Sequence, residues 1–124
     1  MSTDCGACLY TDDGDIPDFY DSRDVRARKA HKCTECGCTI AVDERYERTS
    51  GKWGGDVRTY VTCAECADIA TALSCDGGRL HGGLWEALND LGPDVVGPGC
   101  LAKIATAAAK AKLQEWWIKQ KGLA

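Results

Sequence analysis

Four cysteines carry the clearest chemical signal in the sequence. Cys33-x-x-Cys36 and Cys63-x-x-Cys66 are two pairs separated by residues 37–62. Two CxxC pairs at such a spacing are a zinc-site signature. Thiolate is a soft anionic donor. Four of them close a tetrahedral shell around Zn²⁺ and leave no position for a catalytic water. Two cysteines separated by two residues reach one ion only where the chain turns tightly. Gly37, directly after Cys36, supplies the positive φ that such a turn favours. Cys63 and Cys66 open a helical pattern, and the N–H groups at a helix N-terminus offset thiolate charge.

Five cysteines remain: Cys5, Cys8, Cys38, Cys75 and Cys100. Cys5-Gly6-Ala7-Cys8 is a further half-site. Cys38 stands two residues past Cys36 and is expected to be crowded out of the first site. By subtraction, Cys5, Cys8, Cys75 and Cys100 form the candidate second zinc site. It would tie the N-terminus, the middle and the last helix of the chain together. The competing reading makes Cys5 and Cys8 an unliganded terminal pair and Cys75 and Cys100 core residues. The sequence opens without a basic-then-apolar leader and holds no run near the ~20 apolar residues of a membrane span. A cytoplasmic, reducing setting is therefore expected, in which thiols bind metal rather than pair.

These ligands need elements to hold them. Arg45–Thr49 and Val57–Thr62 are strand-like, and the glycine-rich Ser50–Asp56 between them reads as a hairpin loop. A helix is expected from Cys63 to about Leu73. Leu80, Leu84, Leu88 and Leu91 mark an amphipathic helix ended by Gly92-Pro93. Pro98-Gly99 precedes a final helix over residues 101–121. Residues 9–24 show no period and read as an arm, and Val25–Lys32 as a short basic turn of helix. The expected fold class is a small α+β zinc-binding domain: a treble-clef-like knuckle, hairpin and helix followed by two further helices. The whole chain, 1–124, is expected to be one domain. Residues 1–32 are the acidic arm and basic lead-in, 33–74 the finger, and 75–124 a helical part packed on it. Ile40, Tyr46, Tyr60, Val61 and Ile69 are the expected finger core.

Charge comes in blocks. Net charge is −4. Residues 1–24 carry seven Asp against Arg23 alone, whereas residues 101–124 carry five Lys against one Glu. An acidic chain is a poor non-specific binder of duplex DNA, and a four-thiolate zinc adds two further negative charges. Nuclease chemistry on a scaffold of this kind needs a His beside the hairpin and further His or Asn on the helix. Only His31 and His81 are present, and neither lies in those places.

The stretch Arg28–Ile69 resembles a group of small zinc-binding proteins encoded by bacteriophages and prophages. The residues that carry the resemblance are His31-Lys32-Cys33-x-x-Cys36, Ile40, Glu44-Arg45-Tyr46, Ser50-Gly51-Lys52-Trp53-x-Gly55-Asp56 and Thr62-Cys63-x-x-Cys66. Outside the finger they are Cys5/Cys8, Asp15–Tyr20, Cys75-Asp76-Gly77, Leu84-Trp85-Glu86 and Cys100–Lys103. The resemblance implies a mobile-element protein acting inside a bacterium. The segment Gly77–Gly82 is less aromatic than its counterpart in that group.

The reading that follows is a non-enzymatic accessory protein, with two zinc ions, that binds and modulates a host protein with a basic surface. A bacterial defence system is one such target. The candidate partner-binding residues are Asp12, Asp13, Asp15, Asp18, Phe19 and Tyr20 of the arm, together with Trp116 and Trp117. Adjacent residues diverge by 100° on a helix, so the two Trp cannot share one buried centre. The alternative is a nucleic-acid-binding regulator using Arg26, Arg28, Lys29, His31 and Lys32.

Overall fold

The computed structural model describes Leu9 and residues 20–53, 55–74 and 81–122, the side chains of Trp53 and Pro98 apart. Five strands come first: β1 (Tyr20–Arg26), β2 (His31–Lys32), β3 (Thr39–Ile40), β4 (Arg45–Trp53) and β5 (Asp56–Cys63). Four helices follow: α1 (Ala64–Leu73), α2 (Leu84–Leu91), α3 (Pro98–Lys103) and α4 (Ala107–Lys121). The chain is thus a small α+β structure with antiparallel strands. One sheet has the order β1-β4-β5, and β2 and β3 form a short ribbon.

The β4–β5 ladder runs from Tyr46↔Cys63 out to Trp53↔Asp56. The strands therefore continue into the expected glycine-rich loop, β4 as far as Trp53 and β5 from Asp56. Tight hairpin turns favour glycine at positive φ, and Gly55 sits at φ +89°.

Residues 20–26 depart from the sequence expectation. They are neither arm nor helical turn but an edge strand, paired with β4 from Tyr20↔Gly51 to Arg26↔Arg45. Apolar alternation is missing because within β1 only Val25 packs against the core. Charged residues on such a strand also discourage edge-to-edge addition. Beyond it, Ala27 is buried and exchanges backbone hydrogen bonds with the turn before β4: its N–H donates to Glu44 O at 2.9 Å and its carbonyl accepts from Asp43 N–H at 2.8 Å. Residues 27–30 accordingly form no helical turn.

The core is continuous through both halves. Cys66, Ile69, Ala70 and Leu73 give α1 a buried stripe. Leu84 and Leu88 of α2, Val96, Ile104, and Ala109 and Leu113 of α4 complete it. Of the expected finger core, Ile40, Tyr46 and Ile69 are buried and Val61 packs against them. Tyr60 instead stacks on His81, ring centroids 5.5 Å apart. Leu9 is buried too. Its N–H donates to Leu73 O at 2.9 Å, and it forms a parallel bridge with Ser74.

The expectation of two helices after the finger is corrected to three among the described residues. The stretch 101–121 is broken at Ile104, whose extended backbone (ψ 131°) turns its side chain into the core. Thr106 restarts the helix. Its hydroxyl accepts from Ala109 N–H at 3.4 Å and donates to Asp68 Oδ2 at 2.6 Å. No helix among the described residues is long and apolar enough to cross a membrane.

Candidate metal centre

The knuckle between β2 and β3 is built by its own backbone. Gly37 N–H donates to Cys33 O at 2.9 Å, with Gly37 at φ +76°, and Cys33 N–H donates to Cys38 O at 2.9 Å. This closed turn aims the Cys33 and Cys36 side chains the same way. Cys63 is the last residue of β5, the rung opposite Tyr46 and the N-cap of α1. The first turn of α1 then brings Cys66 beside it.

Together these elements bring Cys33, Cys36, Cys63 and Cys66 into one group, all four sulfurs within 4.8 Å of one another. Cys36 Sγ and Cys63 Sγ are 3.9 Å apart. A tetrahedral ion with metal–sulfur bonds of ~2.3 Å separates its sulfurs by about 3.8 Å. Cys33, Cys63 and Cys66 are buried and Cys36 is half-buried. The four-cysteine group is therefore of the size and depth to hold a metal ion.

The surroundings are those of a negatively charged sulfur cluster. Cys33 Sγ accepts from the N–H groups of Glu35 (3.4 Å), Cys36 (3.5 Å) and Cys63 (3.3 Å). Cys63 Sγ accepts from Cys66 N–H at 3.5 Å, and Cys66 Sγ from the Trp85 indole at 3.4 Å. Four thiols this close cannot all carry charge by themselves. The thiols of Cys63 and Cys66 donate toward Cys33 and hold its pKa far below the usual thiol range, with burial opposing. The pKa values of Cys63 and Cys66 are pushed up, chiefly by Cys33. A cation among them removes that repulsion and lets all four ionise.

Three residues of this setting were not legible as functional in the sequence. Glu35, inside the knuckle, accepts from Gly82 N–H at 2.7 Å and Leu84 N–H at 3.1 Å, so its carboxylate serves the N-terminus of α2. Gly83, the N-cap there, makes no side-chain cap of its own. Trp85, one residue into α2, donates to a candidate ligand. Lys112 of α4 lies beside Cys36; burial alone would lower its pKa, but Cys36, Cys63 and Cys66 outweigh it and the net shift is upward. Trp85 and Lys112 have no spacing motif, because they meet the centre through tertiary packing; Glu35 lies inside Cys33-x-x-Cys36, and only its contact with the start of α2 is tertiary.

Other expected site residues fall elsewhere. Cys38 is half-buried at the rim, its thiol pushed up to about 11 by burial and by neighbouring Cys36. Cys100 is buried at the start of α3 and takes part in a disulfide whose other half lies outside the described residues. Cys5, Cys8 and Cys75 lie outside the described residues, as do Asp12, Asp13, Asp15, Asp18 and Phe19. Tyr20 opens β1, 46% exposed, and its hydroxyl is hydrogen-bonded to His81 Nε2 at 2.7 Å. Trp116 and Trp117 are both half-buried. Trp116 donates to Asn89 Oδ1 at 2.8 Å and Trp117 to Pro93 O at 2.9 Å, so both indoles stitch α4 to α2 and the segment after it. Arg26, Arg28, Lys29 and Lys32 are exposed, and His31 packs against Tyr46 with ring centroids 5.1 Å apart.

Comparison of the chain with known protein families, with curated proteins and with solved structures finds no match.

Proposed function

We propose that the chain is a zinc-stabilised, non-enzymatic binding module of treble-clef type. The observation that carries this reading is the closed four-sulfur group at tetrahedral spacing, cradled by N–H donors. Zinc suits it because a d¹⁰ ion takes four thiolates without geometric penalty. A complete thiolate shell is a structural rather than a catalytic arrangement. Both imidazoles are packed against tyrosines, which supports the same conclusion.

A second zinc held by Cys5, Cys8, Cys75 and Cys100 belongs to this reading. The Leu9↔Ser74 bridge supports it, since Cys8 directly precedes Leu9 and Cys75 directly follows Ser74 in the sequence. A disulfide at Cys100 occupies the sulfur that a ligand needs, so the second ion requires the reduced protein. Elemental analysis of reduced protein is expected to give close to two zinc per chain. A ratio of one leaves only the first centre.

Biologically, we read the chain as a phage or prophage accessory protein that binds a basic host protein. Its net charge of −4 and its Asp-rich N-terminal block support this. Affinity capture from the host, with and without nuclease treatment, tests it. A protein partner that survives nuclease supports the reading. The nucleic-acid alternative draws on Arg26, which stands opposite Arg45 across the sheet, and on exposed Arg28, Lys29 and Lys32. Capture abolished by nuclease, or by charge reversal at Arg26, Arg28 and Lys29, favours that alternative.

A further inference from the structure

We propose that Cys36 is the reactive vertex of the four-sulfur group, the thiolate that hydrogen peroxide oxidises first, and that Cys63 closes the resulting disulfide. This inference rests on the metal-centre reading above and gives that centre a redox chemistry besides its structural role.

The four sulfurs are shielded unequally. Cys33 Sγ accepts three backbone N–H groups, those of Glu35, Cys36 and Cys63. Cys63 Sγ accepts one from Cys66, and Cys66 Sγ accepts the Trp85 indole N–H. Among the described residues, no backbone amide and no indole donates to Cys36 Sγ. A hydrogen bond to a thiolate stabilises its charge and blunts it as a nucleophile. Cys36 therefore keeps the reactivity that the other three have given up.

Access selects the same sulfur. Cys33, Cys63 and Cys66 are buried, whereas Cys36 is half-buried. The next residue, Gly37, is exposed, and the space where its Cβ would stand is open. No side chain at that position roofs the vertex. The Lys112 ammonium beside Cys36 balances charge there. On its flexible stem it yields to an incoming reagent as a fixed backbone amide does not. Thiol oxidation follows thiolate character and exposure together, and a cation at the centre supplies the thiolate at neutral pH.

The oxidation balances. A Cys36 lone pair attacks one peroxide oxygen, the O–O bond breaks, hydroxide leaves and Cys36 becomes a sulfenic acid. Cys63 Sγ stands 3.9 Å from Cys36 Sγ. Its thiolate attacks the oxidised sulfur, the S–O bond breaks, a second hydroxide leaves and the S–S bond forms. Two thiolates and one peroxide give one disulfide and two hydroxides. Each sulfur loses one electron, and the two peroxide oxygens take them up. Cys33 and Cys66 alone do not close a tetrahedral shell, so the finger loses its cross-link under oxidation. A thiol reductant restores it.

Limiting hydrogen peroxide added to the reduced, zinc-loaded full chain, followed by alkylation and peptide mapping, tests this. Among Cys33, Cys36, Cys63 and Cys66, the expected first product is a Cys36–Cys63 disulfide that dithiothreitol reverses. A first disulfide that leaves Cys36 out, or joins it to any sulfur but that of Cys63, overturns the proposal. Four thiols that stay reduced under excess peroxide overturn it as well.

Iodoacetamide reports nucleophilicity without a second step. In the same zinc-loaded protein it is expected to label Cys36 at least about fivefold faster than the other three, the worth of one hydrogen bond. Equal labelling of the four overturns the ranking. Trp85→Phe deletes the indole N–H and keeps an aromatic ring in place, and it is expected to speed labelling at Cys66. Unchanged labelling there overturns the shielding on which the ranking rests. Zinc content is measured before any reagent is added. A protein that takes up no zinc fails the metal-centre reading itself, which sets that failure apart from the others.

Discussion

The finger, residues 31–73, and the helical half, residues 84–121, face the same shortage of large apolar side chains and meet it differently. The finger buries few of them, chiefly Ile40, Tyr46, Ile69 and Leu73, around four clustered sulfurs. The helical half buries Leu84, Leu88, Val96, Ile104 and Leu113 in ordinary helix packing. Where a metal can supply the cross-link, the chain can use its positions for turns and candidate ligands. Where it does not, the leucines must recur at helical spacing. The two regions meet at the centre itself, through the Glu35 carboxylate, the Trp85 indole and the Lys112 ammonium.

The largest effect expected is from taking the cross-link away. Chelation of the metal removes a term of ~10–16 kcal/mol, comparable to the whole stability of many domains, and Cys63→Ser removes a part of it. Circular dichroism and amide-proton NMR are expected to show the β4–β5 hairpin and α1 unfolded. Retention of that structure after chelation would show that packing alone holds the finger.

Next comes the core of the helical half. Leu113→Ala, at a fully buried position, is expected to cost ~2–5 kcal/mol in a denaturant titration while metal content at room temperature stays at the parent value. Coincident loss of metal would show that the two regions form a single cooperative unit.

A smaller change is expected from Glu35→Ala, which leaves the N–H groups of Gly82 and Leu84 without their carboxylate. The cost expected is ~1–2 kcal/mol, with α2 amides exchanging faster and the metal retained. Smaller again is Thr106→Ala at about 1 kcal/mol, read as fraying of the first turn of α4 only.

The comparison also explains what the sequence disclosed. The candidate ligands Cys33, Cys36, Cys63 and Cys66 were legible because coordination imposes short, fixed spacings and a turn that favours glycine. The hairpin was legible in two strand-like runs around a glycine-rich stretch, and α1 in the helical pattern that Cys63 and Cys66 open. The strand β1 was hidden, since an exposed edge strand needs no apolar alternation and Tyr20–Arg26 has none. The break at Ile104 was hidden for another reason. Thr106 is a good cap residue, but the position where a capping box would place Glu or Gln is Ala109, and neither Pro nor Gly interrupts residues 101–121. The outer-sphere groups were hidden altogether. Trp85 and Lys112 stand 19 and 46 residues beyond Cys66 in the sequence, and only the packed helices bring them back to it.

That separation along the chain is also a separation in time. All four clustered cysteines have been synthesised by residue 66, and the strands that present them are complete by then. At ~5–20 residues per second, the ribosome needs roughly 2–9 s more to add the 46 residues that end at Lys112. An ion captured during that interval sits in a centre still lacking its indole and its ammonium. The nascent finger is then at its most open to metal exchange, and the arrival of α2 and α4 acts as a late seal. An ion that entered during those seconds would be in place before the helices close over it.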